Sequence, residues 1–418
     1  MNGYGRLLTL AVPRRLALAS IPADFADWLD YAAIVALLVF TWDEGPLALA
    51  FFALSLTAPY VVIGPFLAVL VDRTPLARVL VLANLGRALT TLALVFADQT
   101  VAVLIIVFLR GAIDSAFTPA RQGAIQASTP PELLGSANGL HQAISQTSKI
   151  AGPALGGVLL AFLPAQTVFG INAGLSLLAA VTLWGIALPP RPIRENANIR
   201  TELTAGAAEF SRNRLLLTAL IFSAVAYFGI FLYDALIALI TSEFGLGATA
   251  FGFAIAASGG GGLVGALAAG RFATLHPMAS MIASAVIAGI ITVLVAVTSL
   301  AGAAMPAPIF FLAMALMGGS TAFMLVPYRT IVQQETPPDR IGRVFAAGEA
   351  VTMAMMLSAP FIGSFIASHY GTGAAFLSGG AVLLALALVT LLLQWRKPRP
   401  HLPKANARDT TRQIHRED

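Results

Sequence analysis

The sequence contains twelve apolar segments, each about as long as a helix that crosses a lipid bilayer. A spanning helix needs about 20 apolar residues, and a chain of 418 residues holds about twelve such helices with short connections. Only 11% of the residues are charged, whereas soluble domains average about 25%. The pattern predicts an all-α membrane protein with twelve transmembrane helices and excludes an ordinary soluble enzyme. The segments lie near 16–41, 46–71, 79–97, 101–118, 137–162, 167–188, 214–240, 249–270, 278–298, 307–327, 345–368 and 374–395.

Basic residues are concentrated in alternate connections. With the N-terminus in the cytoplasm, 22 of the 25 Lys and Arg residues fall in the terminal tails and the even-numbered connections. The opposite connections carry acids, among them Asp43, Asp98 and Glu243, and no Lys or Arg. By the positive-inside rule, this bias predicts that both termini are cytoplasmic. The net charge of +5 therefore belongs to the cytoplasmic membrane surface, and no nucleic-acid partner is expected.

The two halves of the chain repeat each other. Residues 126–135 and 333–342 share a Thr-Pro-Pro-acid pattern that ends in Gly, and they are offset by 207 positions. The same offset places Pro153 on Pro360 and Gly156 on Gly363. We therefore predict two pseudo-symmetric six-helix bundles, at 1–188 and 214–395, joined by a cytoplasmic linker at 189–213 and followed by a tail at 396–418. Repeats of this kind are typical of secondary transporters, whose substrate site lies at the midplane between the halves.

The connection after the second segment carries a recognisable motif. It runs from Gly64 through Asp72-Arg73 to Arg78 and resembles the loop motif between the second and third helices of the major facilitator superfamily. Ala68 stands where that motif has a glycine. A carboxylate beside an arginine at a helix end can form an ion pair that favours one of two conformations. The alternative is that the Asp-Arg turn is a topology signal alone.

The fifth segment carries a second motif, built from small residues around one proline. It resembles the antiporter signature of the same superfamily, with Ser148 in place of one glycine. The alternative interpretation of the motif is ordinary close packing of helices. The resemblance narrows to the twelve-helix drug:proton antiporters, which include macrolide and siderophore exporters, and it implies the major facilitator fold and transport in the export direction. The motif residues are Gly139, Gly152, Pro153, Gly156 and Gly157.

The first segment carries three acids on one helical face. Asp24, Asp27 and Asp30 are spaced three residues apart, so they share an arc of about 120°, which Tyr31 extends. Three carboxylates in a cavity of low dielectric constant cannot all be ionised cheaply, so at least one is expected to hold a proton. Asp27 lies nearest the middle of the membrane and is the strongest candidate for a proton carrier. Asp24 or Asp30 could instead cap or solvate a cavity mouth.

Charged side chains inside apolar segments indicate functional sites, because they are costly in a bilayer. Arg110 and Asp114 stand four residues apart in the fourth segment, so they could pair with each other. Alternatively, Arg110 pairs with a first-helix acid and competes with a proton for it. In the fifth segment Gln142, Gln146 and Lys149 form one polar stripe, and Lys149 needs a carboxylate or a water-filled cavity.

Two further acids belong to the second half. Asp234 is the sole acid of the seventh segment and is expected toward the outer mouth, near the counterpart of Asp30 and Tyr31. Glu349 enters the eleventh segment and could either pair with Arg73 or carry a proton. The sequence has no ATP-binding Walker A loop, no compact catalytic group of residues and no cysteine.

These features favour a proton-coupled transporter that exports a small amphipathic compound by alternating access, with no cofactor, no metal and no enzymatic activity. We expect it to function as a monomer in the lipid bilayer, with protons and a small-molecule substrate as its partners. The 22 Arg against 3 Lys residues suggest a bacterial source and hence the inner membrane. The alternatives are a siderophore or metal exporter, a lysolipid flippase on the same fold, and a membrane sensor that does not transport.

Overall fold

The computed structural model describes residues 3–64, 66–67, 71, 74–188, 208–272, 276–336 and 341–395. Throughout these ranges the regular structure is helical. Twelve helices of at least 17 residues correspond one to one to the twelve apolar segments. They are α1 Ala11–Ala36, α2 Pro46–Val62, α3 Leu76–Leu94, α4 Thr100–Ser128, α5 Leu134–Phe162, α6 Ala165–Leu183, α7 Arg214–Asp234, α8 Ala248–Phe272, α9 Pro277–Leu300, α10 Ala307–Glu335, α11 Ile341–Tyr370 and α12 Thr372–Trp395.

Nine of these helices in the described ranges are long and apolar enough to cross a membrane. The other three are α1, α2 and α5. Helix α2 is apolar but has only 17 residues, and α1 and α5 carry the polar side chains noted above. Shorter helical segments lie at Gly3–Thr9, Pro131–Leu133 and Ile237–Glu243, and α1 continues into a π-helical turn at Leu37–Thr41.

Several helices end at different places from the apolar segments. Helices α4 and α10 continue to Ser128 and Glu335, well past the predicted ends near 118 and 327, because a helix does not stop where its apolar run stops. In α4 the additional turns carry Arg121, whose charge is compensated by an acid of α1. Helix α2 ends at Val62, and residues 65 and 68–70 of the remaining predicted segment up to 71 lie outside the described residues.

Helix packing repeats itself between the two halves. Within the first six helices the pairs α1–α5, α1–α6, α2–α4, α3–α4 and α3–α6 are in contact. Adding six to each number gives α7–α11, α7–α12, α8–α10, α9–α10 and α9–α12, and all five of these pairs are also in contact. The fold is therefore built from two pseudo-symmetric sets of six helices, as the sequence repeat predicts.

Two seams join the sets, and they obey the same symmetry: α5 packs on α8, and α11 packs on α2. A Cβ atom added to Gly157 of α5 would lie against Thr249 and Gly252 of α8. At the position equivalent to Gly157, the Ser364 hydroxyl of α11 donates a 2.8 Å hydrogen bond to the carbonyl of Pro46, at the start of α2. Both seams therefore lie at the membrane face opposite the one where α1 begins.

The exact domain bounds remain predictions. Residues 189–207, which make up most of the predicted linker, and the tail at 396–418 lie outside the described residues.

Candidate functional site

Asp27 lies at the centre of a charged cluster between α1, α3 and α4. One carboxylate oxygen accepts a 2.8 Å hydrogen bond from Arg110 Nη2 of α4, and the other accepts a 3.1 Å hydrogen bond from Arg87 Nη2 of α3. Both arginine side chains are at least 93% buried, whereas the Asp27 side chain is 34% exposed. This confirms the predicted contact between Arg110 and a first-helix acid, and it adds a second arginine to that acid.

Asp30 lies one turn further along α1 and shares Arg110 with Asp27. It forms an ion pair with Arg110 Nη1 and accepts a 2.8 Å hydrogen bond from the hydroxyl of Thr91. That hydroxyl in turn accepts a 2.8 Å hydrogen bond from Arg110. With its side chain only 3% exposed, Asp30 is an enclosed member of the cluster and does not cap a cavity mouth.

Asp114 pairs with a different arginine from the one that its spacing suggests. Its carboxylate is hydrogen-bonded by Arg87 Nε, and Arg110, four residues earlier on the same helix, turns to Asp27 and Asp30 instead. The prediction of a self-contained Arg110–Asp114 pair is therefore wrong. A guanidinium with two acids of α1 within reach gains more from them than from one neighbour on its own helix, and Arg87 is left to compensate Asp114.

Asp24 is separated from this cluster by an aromatic ring. Its carboxylate accepts a 2.5 Å hydrogen bond from Arg121 Nη1. The ring of Phe117 lies 4.1 Å from the Arg87 guanidinium carbon and 5.3 Å from that of Arg121. Cations stack favourably on aromatic faces, so Phe117 connects the two arginines while keeping their charges apart.

A cavity of about 250 Å³ opens beside the cluster. Its polar wall contains carboxylates and one guanidinium, and its apolar wall contains aromatic rings, an arrangement suited to an amphipathic ligand. Among its lining residues are Asp27, Asp114, Arg110, Trp28, Tyr31, Phe52 and Tyr60. In the described part of the chain, no group of three or more His, Asp or Glu side chains is arranged to hold a metal ion.

The polar stripe of α5 approaches the same cavity at Lys149. The Lys149 ammonium lies 5.4 Å from the centre of the Trp28 ring, and its side chain is exposed. Gln142 is exposed and Gln146 is half-buried on earlier turns of the helix. The structure thus brings Lys149 to the site, and the two glutamines remain further along α5.

The small-residue motif of α5 lies where helices approach most closely. A Cβ atom on Gly152 would meet Trp28, and one on Gly156 would meet Leu29 and Ala32, all three on α1. Pro153 is buried and lies in the seam with α8. Gly139 faces the hydroxyl of Tyr4 near the start of the chain. The motif therefore positions α1, with Trp28 and its acids, against α5.

The acids of the second half lie apart from the Asp27 cluster. Asp234 is half-buried at the end of α7. Within the described ranges, Lys149 is the cation close enough to interact electrostatically with its carboxylate. Glu349 is exposed on α11. Its carboxylate is close enough to Tyr227 and Tyr328 to interact electrostatically with their hydroxyls. Tyr227 stacks on Phe231 with ring centres 5.9 Å apart, which makes an aromatic wall in the second half.

The loop motif is described only in part. A Cβ atom on Gly64 would contact Ser115 of α4, and Arg78 is exposed on the first turns of α3. Asp72 and Arg73 lie outside the described residues, so their predicted ion pair and the predicted pairing of Arg73 with Glu349 stay predictions.

Two arginines of the site, Arg87 and Arg121, were not among the residues predicted from the sequence. Arg87 is one of three basic residues inside apolar segments, and its cost in a bilayer was the signal that could have identified it. Arg121 was assigned to the cytoplasmic connection because the apolar run ends before it. Together with Arg110, these two arginines pair with all four intramembrane acids of the first half.

The model of the Major Facilitator Superfamily matches residues 16–347 and 219–416 of this sequence, which together span nearly its whole length. The chain belongs to the major facilitator superfamily. Its fold and its relatives are those of membrane transporters.

The MFS-type transporter YfiS of Bacillus subtilis is 30% identical over 378 residues, which cover 88% of this chain and 90% of that protein. Macrolide efflux protein A of Streptococcus pyogenes is 26% identical over 347 residues, covering 79% and 83% of the two chains. The enterobactin exporter EntS of Salmonella typhimurium is 27% identical over 320 residues and covers 73% of each. Efflux proteins are thus among the relatives of this transporter.

Solved structures share the fold at low sequence identity. The nucleoside transporter NupG superposes with a TM-score of 0.72 at 15% identity, covering 91% of this chain and 99% of that one. A bacterial homologue of the iron transporter ferroportin superposes with a TM-score of 0.66 at 17% identity, covering 90% and 98%. These likenesses support the fold of this superfamily member and carry no information on its substrate.

Proposed function

We propose that this transporter exports a small amphipathic compound across the bacterial inner membrane in exchange for protons, by alternating access. The observation that carries the proposal is Asp27, a carboxylate shared by two buried arginines and open to a cavity lined with aromatic rings. Such a group can exchange a proton with water in the cavity and can change its partners when it does so.

The charge balance of the cluster favours a bound proton. The cluster and the neighbouring Asp24–Arg121 pair together hold four carboxylates, those of Asp24, Asp27, Asp30 and Asp114, and three guanidiniums, those of Arg87, Arg110 and Arg121. An excess negative charge in a region of low dielectric constant is costly, and binding one proton removes it. Asp27 is the carboxylate through which that proton can exchange with water, because its side chain is 34% exposed, against 16% for Asp114 and 7% or less for the other two.

The exchange follows from competition for the arginines. A proton on Asp27 weakens its hydrogen bonds to Arg87 and Arg110, because charge-assisted hydrogen bonds are stronger than neutral ones. The arginines then retain Asp114 and Asp30, and α1 is held less tightly to α3 and α4. Loss of the proton on the other side of the membrane restores both bonds to Asp27.

The direction of transport and the orientation of the protein in the membrane are part of the proposal. With cytoplasmic termini, the two seams lie at the outer ends of the helices, so the structure corresponds to an inward-facing state that receives substrate from the cytoplasm. The macrolide and enterobactin exporters among the relatives and the resemblance of the α5 motif to the antiporter signature support export. A carboxylate beside Trp28, Tyr31 and Phe52 favours a substrate with a basic group and an apolar body.

The remaining predicted roles join this proposal. Asp24, Tyr31 and Lys149 border the path to Asp27, and Glu349 with Tyr227 forms part of the facing wall. Gln142 and Gln146 line α5 toward the cytoplasm, and Asp72 with Arg73 stabilises the closed cytoplasmic side.

The experiment is transport by the purified protein in liposomes with an imposed pH gradient. A panel of macrolides, siderophores and lysolipids is offered, and a matching compound should accumulate against its own gradient only while protons move in the opposite direction. Uptake that is unaffected when an ionophore collapses the pH gradient would contradict proton coupling. Accumulation of a lysolipid alone would favour the flippase alternative.

A further inference from the structure

Lys149 borders the path to Asp27, but the proton exchange does not explain why its ammonium lies on the Trp28 ring. It lies on α5 at the inner end of the seam, where a Cβ atom on Gly259 of α8 would come 3.5 Å from its carbonyl oxygen. Beyond this point toward the start of α5, the exposed Gln142 faces open space. Lys149 therefore stands at the end of the α5–α8 contact, beside Trp28, which lines the cavity.

The ammonium of Lys149 is held by an aromatic face. It lies 5.4 Å from the centre of the Trp28 ring, and no acid in the described ranges forms an ion pair with it. Gly152, three residues later on the same face of α5, lacks the Cβ atom that would push Trp28 away. The chain thus brings a tryptophan and a cation together at the position where the ring borders the cavity.

A carboxylate of the other half acts on the same cation. Asp234 ends α7 and lies near enough to Lys149 for their opposite charges to attract. Tyr31 also lies near Asp234, and the centre of its ring is 6.0 Å from that of Trp28. An aromatic face with a carboxylate nearby is a binding arrangement for an organic cation, and the protein's own lysine occupies it in this structure.

We propose that Lys149 is a tethered competitor, which occupies a cation subsite formed by Trp28 and Asp234 and which a substrate cation must displace. The displaced ammonium moves toward Asp234 or into the water of the cavity. Lys149 therefore sets specificity: a substrate needs a cationic group that stacks on tryptophan better than a strongly hydrated ammonium does. This inference rests on the proposed export function and names the chemistry of one part of its substrate site.

The test measures binding to Trp28 directly. The other tryptophans, Trp42, Trp184 and Trp395, are replaced by phenylalanine, and the fluorescence of Trp28 in the full-length purified protein is titrated with tetraphenylphosphonium. Lys149→Met keeps the aliphatic stem and removes the charge, so the affinity for this cation should rise by about two- to thirtyfold. Lys149→Arg keeps a competing positive charge and should not raise the affinity for tetraphenylphosphonium.

Two controls make the outcome specific. Triphenylphosphine oxide has a similar shape without charge, and its affinity should be the same in the Lys149→Met variant as in the parent. Asp234→Asn should weaken binding of the phosphonium but not of the neutral compound. The proposal is overturned if Lys149→Met leaves the cation's affinity unchanged or lowers it, if the neutral compound gains as much, or if no variant binds the cation.

Failure here is distinct from failure of the export proposal. The titration is made at one pH without a proton gradient, so it does not depend on Asp27 as the proton carrier. If Lys149→Met does not raise the affinity for the cation while proton-driven export is intact, the proposed cation subsite is wrong and the proposed export function stands. If the titration succeeds while the pH gradient has no effect on transport, the subsite remains and proton coupling is wrong.

Discussion

At the scale of single residues, the defining feature of the site is that its acids outnumber its arginines. Arg87 hydrogen-bonds both Asp114 and Asp27, and Arg110 serves both Asp27 and Asp30. The sequence indicated the acids of α1 and their contact with Arg110, because an acidic face in a bilayer requires a cation. It did not indicate Arg87, because the partner of a buried charge on another helix depends on how α3 and α4 rotate against each other.

We predict that Arg87 supports the fold through Asp114. Arg87→Met leaves a buried carboxylate without its cation, and breaking such a pair costs about 3–5 kcal/mol. Thermal unfolding of the detergent-solubilised variant should therefore occur at a clearly lower temperature. Adding Asp114→Leu removes the stranded charge and should restore much of the loss. The exposed Arg78→Met serves as the control and should unfold like the parent. An Arg87→Met variant as stable as the parent would show that the pair contributes little.

At the scale of helices, glycine decides which elements can form the seams. A Cβ atom on Gly252 of α8 would contact the backbone of Pro153 and Gly157 of α5. The sequence repeat placed Pro153 on Pro360 and Gly156 on Gly363, and the structure gives those pairs equivalent positions. A Cβ atom on Gly156 would meet Leu29 of α1, and one on Gly363 would meet Leu232 of α7. Small-residue patterns thus predicted close approach, but not which helix approaches.

We predict that Gly252→Val opens the seam between α5 and α8 without unfolding either helix. The added side chain cannot fit against the α5 backbone, so the conformation in which this seam is closed becomes less stable and transport should fall by about tenfold or more. A single cysteine at Thr249 should react faster with a membrane-impermeant maleimide. Gly260→Val is the matched control on the same helix, because a Cβ atom there meets nothing within 4 Å. Equal labelling in both variants would contradict a closed outer seam.

At the scale of the whole molecule, the twelve apolar segments predicted the twelve long helices found in the described residues, and the internal repeat predicted two equivalent sets of six. The ends of α4 and α10 could not be read from the sequence, because both helices continue past their apolar runs. At Arg121 the helix keeps its charge near the membrane by pairing with Asp24, and hydropathy alone does not report such a pair.

We predict the orientation from the distribution of basic residues. The chain has no cysteine, so single cysteines can be introduced without further changes. Asp43→Cys and Asp98→Cys should react with an impermeant maleimide in intact cells, and Arg212→Cys should react only after the membrane is permeabilised. Labelling of Arg212→Cys in intact cells would reverse the assignment of the two sides.

The central claim is that Asp27 carries the exchanged proton, and the most direct measurement is transport by Asp27→Asn in liposomes. The amide keeps the shape of the carboxyl and removes its titration. The account predicts that export against a substrate gradient, driven by a pH gradient, is lost, while exchange of substrate down its own gradient persists. If the variant still concentrates substrate with the parent's dependence on the pH gradient, Asp27 is not the proton carrier.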